Sequence, residues 1–333
     1  MTTACTTKQQ TTGIDLANLD TTAVAQNDFY QFACGGWMAK NPLDAEHSRY
    51  GAFDVLAENA LKNVNDIIDS VSKNKNEAGS LADKIATLYN IGMDSAKLQA
   101  DGVAPLTPYL EEINNVKTTN DAWQEMLRMH KRGNTVLFGV FGEADKDDAT
   151  MCIAWAYQGG LGLGDRDYYL LDEGNNKKIR EGYVELMNKL FAMSGYDQLS
   201  GKKADKLAQT VMSFETRLAK AMNTKLENRN PQATFNRYTV DSAASVYGNI
   251  DWKGYFEAMN IMEGMKSFNI AQPKYFEEVN KVLADADIET LKAYFAWYTI
   301  TSADESLRGR SSACRRSRIL HSRSRRSGSW RHW

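Results

Sequence analysis

Phe53-Asp-Val-Leu-Ala-Glu-Asn-Ala-Leu-Lys-Asn-Val-Asn-Asp-Ile-Ile-Asp-Ser-Val71 is the stretch whose reading decides the fold class of this chain. Its apolar residues Phe53, Leu56, Ala60, Val64, Ile68 and Val71 step by three or four, so they share one face of a helix of about five turns. The same period recurs downstream. It runs through Leu81, Ile85 and Leu88, and through Trp123, Met126 and Leu127 as far as Gly133. It returns in Ile179, Tyr183, Leu186 and Leu190 before Gly195, and in Leu207, Val211, Phe214, Leu218 and Met222. Shorter helical pieces are expected around Val240–Tyr247 and Pro273–Leu283, with a last helix at Ile288, Leu291, Phe295 and Tyr298. Thr107-Pro108 reads as a cap followed by proline at the first helical position, which starts a helix there. Upstream, Asn27 or Asp28 caps a short helix, with Gln31 set to close a capping box and Gly35-Gly36 expected to end it before Trp37.

One region breaks the period. Thr135-Val-Leu-Phe-Gly-Val-Phe and Thr150-Met-Cys-Ile-Ala-Trp-Ala-Tyr157 are β-prone runs around the acidic link Glu143–Asp148, which reads as a β-hairpin. No repeat of fixed period runs through the chain. The expected class is mainly α, a multi-helix cap-type domain with one small β-hairpin.

Charge divides the sequence. Residues 307–333 hold nine Arg with no Lys, Asp or Glu, a charge of +9. The total of 40 basic and 42 acidic side chains therefore leaves 31 basic and 42 acidic in residues 1–306, a net charge of −11. A body that acidic is a poor partner for nucleic acid. Two readings of the tail stand open: an Arg/Ser-rich segment that binds nucleic acid or a partner, or a reading frame that shifts near Asp304. The switch is abrupt and follows a well-formed helix, which favours the shifted frame. The organisation is then a polar leader (1–20), a helical region (21–303) and an aberrant tail (304–333).

Cysteine usage points to neither a disulfide framework nor a zinc ribbon, since Cys5, Cys34, Cys152 and Cys314 show no C-x-x-C spacing. Cys34 and Cys152 read as buried small hydrophobes. Cys5 follows a small residue and precedes a Thr/Gln-rich run, as at the end of a bacterial lipoprotein signal; a plain polar terminus reads equally well. No segment approaches the roughly 18 apolar residues of a membrane span.

The search for catalytic motifs is negative. His47, His130, His321 and His332 do not fall in H-E-x-x-H, and His47 and His130 read as surface histidines. There is no G-x-S-x-G elbow. The run Gly159-Gly-Leu-Gly-Leu-Gly-Asp-Arg-Asp-Tyr-Tyr169 is not a phosphate loop, because Asp165 stands where a dinucleotide fingerprint needs Gly. Close backbone packing under the hairpin, with Arg166 paired to a carboxylate, is the plainer account. Arg49 and Asp54, five apart at the entry to the long helix, leave two readings open. One is a helix-start carboxylate beside a surface arginine. The other is a clamp in which Arg binds a ligand carboxylate and Asp holds the guanidinium.

Asp28-Phe-Tyr-Gln-Phe-Ala-Cys-Gly-Gly-Trp37, then Asn41-Pro and Ser48-Arg-Tyr-Gly-Ala-Phe-Asp54, resembles the N-terminal signature of the neprilysin family of zinc metallopeptidases. Gly160-Leu-Gly-Leu-Gly-Asp-Arg-Asp-Tyr-Tyr-Leu170, Tyr238-Thr-Val with Ile250-Asp-Trp252, and Tyr294-Phe-Ala-Trp297 match in the family's order, covering about residues 14–303. The resemblance implies the N-terminal portion of a two-domain, mostly helical zinc endopeptidase that hydrolyses oligopeptides, with this part restricting substrate entry. It also implies that Arg49 and Asp54 bind substrate, Arg49 meeting a peptide's C-terminal carboxylate. Cys34 matches a position that pairs with a C-terminal cysteine in animal relatives. The family's zinc helix and third ligand lie downstream and have no counterpart here, so zinc belongs to the intact family and none is expected on this chain. The expected partners are an oligopeptide and the missing C-terminal catalytic region. The expected location is extracytoplasmic in a bacterium, with anchoring only by lipid at Cys5. A non-catalytic peptide-binding module is the alternative function, and a nucleic-acid binder acting through the tail is a further one. Apolar surface left uncovered is a further expectation.

Overall fold

The computed structural model describes residue 13, residues 15–43, residue 47 and residues 49–302. Cys5 and the Arg/Ser tail lie outside the described residues, as does most of the leader before residue 15. The chain divides into two compact units, residues 1–93 and 94–333.

In the first unit, a 3-10 turn at Leu16–Asn18 precedes α1 (Phe29–Lys40), α2 (Ala52–Lys73) and α3 (Leu81–Met93). Asp28 caps α1 by accepting the Gln31 N–H at 2.9 Å. The Gln31 side chain does not close the box; its amide donates to Asp20 Oδ2 at 2.8 Å instead. Nor does α1 stop at Gly35-Gly36, as the sequence reading expected. A Cβ on Gly36 would stand 2.7 Å from the carbonyl oxygens of Ala17 and Leu19, and one on Gly35 would stand 2.6 Å from Asp20 Cβ. These glycines let the 17–20 segment lie against the helix, and α1 continues through them. Trp37 then stacks on Tyr50 at 6.1 Å. The helix predicted from Phe53 is present as α2, yet none of its residues is buried. Phe53 is 86% exposed, and Leu56, Val64, Leu81 and Leu88 are exposed with it. The first part of the amphipathic stripe that identified α2 is thus an uncovered apolar surface, while Ile68 and Val71 at its end are partly buried.

The second unit holds α4 (Ser95–Asp101), α5 (Thr107–Asn114), α6 (Thr119–Lys131), β1 (Phe138–Ala144), β2 (Cys152–Gln158), α7 (Asp167–Leu170), α8 (Asn176–Ser194), α9 (Tyr196–Ser200) and α10 (Ala204–Ala221). It continues with β3 (Arg237–Tyr238), α11 (Val240–Val246), α12 (Trp252–Ala258), β4 (Phe268–Ile270), α13 (Pro273–Asp285) and α14 (Ile288–Ser302). The expected hairpin pairs Phe138 with Gln158 through Ala144 with Cys152. Two short strands extend it to the order β1-β2-β4-β3, with β2 and β4 parallel and β3 and β4 antiparallel. Neither strand is long enough to show a period-2 pattern. Buried Asn269 serves in their place, donating its amide to Thr234 O at 2.9 Å and accepting from the Asn236 N–H.

The core is helical. Leu291, Tyr294, Phe295, Trp297 and Ile300 of α14 are buried among Met187 and Phe191 of α8 and Val211, Phe214 and Leu218 of α10. An apolar helix enclosed by others needs no polar face, and α14 has none along these positions. Gly195 stops α8 in the left-handed conformation at φ 73°. Gly182, by contrast, lies mid-α8 with open space where a Cβ would be. Gly182→Ala is expected to stabilise the chain by about 0.8 kcal/mol, read by urea denaturation, because alanine costs less backbone entropy in a helix.

Candidate functional site

The candidate residues of the first unit lie on the connection between α1 and α2. Asp54, in the first turn of α2, accepts the Gly51 N–H at 2.9 Å through Oδ2. That is a helix-start role, and no Arg49–Asp54 pair accompanies it. Arg49 is exposed and makes no hydrogen bond or ion pair among the described residues. Its neighbours are held. Tyr50 Oη donates to Glu58 Oε2 at 2.7 Å, and His47 Nε2 stands 3.8 Å from Glu58 Oε1. The arrangement presents a free guanidinium from a tied loop, suited to an anionic ligand group.

The glycine-rich segment of the second unit is built differently. A Cβ on Gly160 would come 2.3 Å from Tyr294 Oη and 2.8 Å from Leu137 N; one on Gly162 would come 1.9 Å from Tyr183 Oη. Close packing therefore accounts for Gly160, against the start of the hairpin and Tyr294, and for Gly162, against Tyr183 of α8, whereas Gly164 has open space and a left-handed φ of +78°. The segment hangs on one buried carboxylate. Glu215 of α10 accepts the Gly162 N–H at 3.2 Å, Tyr183 Oη at 3.2 Å and Tyr298 Oη at 3.2 Å on Oε1, and Tyr169 Oη at 2.8 Å on Oε2. Tyr169 Oη in turn accepts the Leu163 N–H at 3.0 Å, and Trp297 Nε1 donates to Tyr183 Oη at 2.7 Å. Burial pushes Glu215 up to about 7, against the pull of its donors. Burial also holds Tyr169, Tyr183 and Tyr298 well above the usual tyrosine range, with the Glu215 charge adding to it. Arg166, expected to pair with a carboxylate, donates to Ala219 O at 3.3 Å and stands 3.9 Å from Asp167, while Lys225 takes Asp165 at 2.8 Å. Reading the sequence for motifs missed Glu215. The available signal was a lone acid four residues after Val211, within a helical apolar stripe.

Two other assignments change. His130 is buried, not at the surface: Nδ1 meets Tyr255 Oη at 3.0 Å, and Nε2 lies 2.8 Å from Val136 O and 3.1 Å from Val136 N. It closes the end of α6 onto the start of the hairpin, a tertiary contact that spacing along one chain does not show. Cys152 is exposed at the open end of β2 and Cys34 is only partly buried, so neither is the enclosed small hydrophobe expected.

A sequence profile of peptidase family M13 matches residues 25–331. This chain belongs to peptidase family M13. Among curated relatives, endothelin-converting enzyme 1 of Cavia porcellus is 25% identical over 303 residues, covering 88% of this chain and 39% of its own length. The endothelin-converting enzyme homolog of Locusta migratoria is 28% identical over 311 residues, covering 86% and 41%. Among solved structures, the Mycobacterium tuberculosis zinc metalloprotease ZMP1 in complex with inhibitor superposes with a TM-score of 0.80 at 24% identity, covering 94% of this chain and 47% of that one. PepO of Lactobacillus rhamnosis HN001 gives 0.65 at 17% identity, covering 84% and 43%. The M13 chain described here thus has the fold of these proteins while spanning about two-fifths of its curated relatives' length.

A zinc site of M13 peptidases needs ligands that converge. Among the described residues there is no group of three or more His, Cys, Asp or Glu placed to hold a metal ion. Both ring nitrogens of His130 are occupied, and His47 is engaged with Glu58 and the Tyr50 ring. The described residues do not fit a zinc centre, and no step through zinc is derived for them. No described helix is long and apolar enough to cross a membrane.

Proposed function

We propose that this M13 chain is the N-terminal, substrate-restricting region of a zinc endopeptidase acting on oligopeptides outside the cytoplasm. Zinc and the bond-breaking groups are assigned to the part of M13 proteins that this chain does not span. Its own chemical contribution is a carboxylate contact at Arg49, with Asp54 fixing the turn that presents it. The observation that carries this reading is Arg49 itself: an exposed guanidinium that makes no hydrogen bond or ion pair among the described residues, next to Tyr50, whose hydroxyl is held by Glu58.

Arg49→Ala tests it. The full chain is titrated with a short peptide carrying a free C-terminal carboxylate and with the same peptide amidated. Wild type is expected to prefer the free acid about tenfold, as one charge-assisted hydrogen-bonded pair allows, and Arg49→Ala to lose the preference. Equal binding of both peptides by wild type overturns the contact. Chelator-sensitive cleavage of either peptide by the purified chain overturns the assignment of catalysis elsewhere.

A further inference from the structure

We propose that Glu58 is the positioning residue for Arg49, its carboxylate tying down the chain on both sides of the guanidinium-bearing residue. The proposal rests on the carboxylate contact argued above. Glu58 lies one helical turn beyond Asp54 on α2, accepts a hydrogen bond from Tyr50, the residue after Arg49, and has His47 near its other oxygen, an ion pair when the imidazole is protonated. Tyr50 donates its hydroxyl to Oε2 at 2.7 Å; His47 Nε2 stands 3.8 Å from Oε1. The Tyr50 ring is fixed as well, stacked on Trp37 at 6.1 Å and meeting the edge of His47 at 5.1 Å. One residue further on, the Gly51 N–H is held by Asp54.

Among the described residues near Arg49, His47, Tyr50 and Gly51 each have a contact with α2, whereas Arg49 makes no hydrogen bond or ion pair. The physical consequence concerns binding entropy. A guanidinium on a loose eleven-residue connection must order its backbone when it grips a carboxylate; one on a stapled loop has already done so. Glu58 never touches the ligand in this scheme. It acts through Tyr50 and His47.

The test uses the full chain and the same acid and amide peptides. Tyr50→Phe keeps the ring on Trp37 and removes only the hydroxyl, without changing charge. Glu58→Gln removes the acceptor charge. Each is expected to weaken binding of the free-acid peptide about fivefold while leaving the amidated peptide unchanged, and the double variant is expected to lose no more than either single one. Helix content and thermal midpoint are measured alongside. If Arg49→Ala abolishes the acid preference but Tyr50→Phe and Glu58→Gln keep it, the positioning role is overturned and the carboxylate contact stands. Glu58→Gln binding the acid more tightly also overturns it, because charge repulsion would then outweigh positioning. Equal losses for acid and amide peptides, with reduced helix content, assign Glu58 to stability alone and overturn the proposal. Equal binding of both peptides by wild type removes the contact and the positioning role together.

Discussion

Glu215→Gln is expected to flatten the pH dependence of unfolding of the 94–302 region between pH 4.5 and pH 8. The carboxyl sits fully enclosed by three tyrosine hydroxyls and the Gly162 N–H, with no cation among the groups that bond to it. Burial raises it from 4.5 to about 7. A group whose folded value is raised gives its full stabilisation below its unfolded value and loses it as pH climbs through the folded value. Across that window the loss is about 3 kcal/mol in wild type, as moving the carboxyl from 4.5 to about 7 implies. Glutamine does not titrate, and its shape suits the cage. Its carbonyl can keep the donors now on Oε1, while its amide donates to Tyr169 Oη, which already accepts from Leu163. Urea denaturation of both proteins at pH 4.5 and pH 8 reads the difference. His130, which burial holds below its usual range, is common to both and cancels. Parallel curves for the two proteins would count against an ionising Glu215.

Gly160→Ala carries the second large effect, an expected loss of about 3 kcal/mol. Gly160 has φ +79°, where an alanine is strained by about 1 kcal/mol. Its new Cβ would also press on Tyr294 Oη at 2.3 Å and on Leu137 backbone nitrogen at 2.8 Å. Neither neighbour is free to move. Tyr294 is buried, accepts the Leu137 N–H at 3.1 Å and donates to Gly160 O at 3.0 Å. Leu137 is itself left-handed at φ 60°, and its carbonyl accepts Tyr275 Oη at 2.6 Å. Overpacking of such a junction costs about 1–3 kcal/mol beyond the strain. Gly164→Ala is the control: its φ is +78°, but nothing lies within 4 Å of the added carbon. It is expected to lose only about 1 kcal/mol. Equal midpoint shifts for the two variants in chemical denaturation would remove close approach as the reason for Gly160.

Several elements were legible because their signals are local. The 3.6-residue period found α2, α8, α10 and α14, and Pro273 and Pro108 fall in the first turns of α13 and α5, though Thr107 is the first helical residue of α5 and not its cap. Two aromatic and β-branched runs found the hairpin, and Gly195 stopped α8. The same logic failed at Gly35-Gly36, where glycine serves close approach and not a helix end. It failed at β3 and β4 because strands of two and three residues have no period to read. It misplaced His130 and Cys152 because burial of an isolated residue depends on what packs over it.

At the candidate site the division is similar. Arg49 and Asp54 could be picked out by residue type and position, but the staple through Glu58 could not, because it joins a loop to a helix face by side-chain reach alone. The sequence by itself determined where the long helices lie, which of their faces are apolar, and membership of a family through motifs kept in order, while the short helices α4, α7, α9 and α12 went unread. Only the tertiary structure decided that a lone acid in an apolar stripe gathers three tyrosines from α7, α8 and α14 under a glycine-rich loop. Periodicity records which way a side chain points along its own element. Which groups meet there is set by how separate elements pack, and no local pattern encodes that.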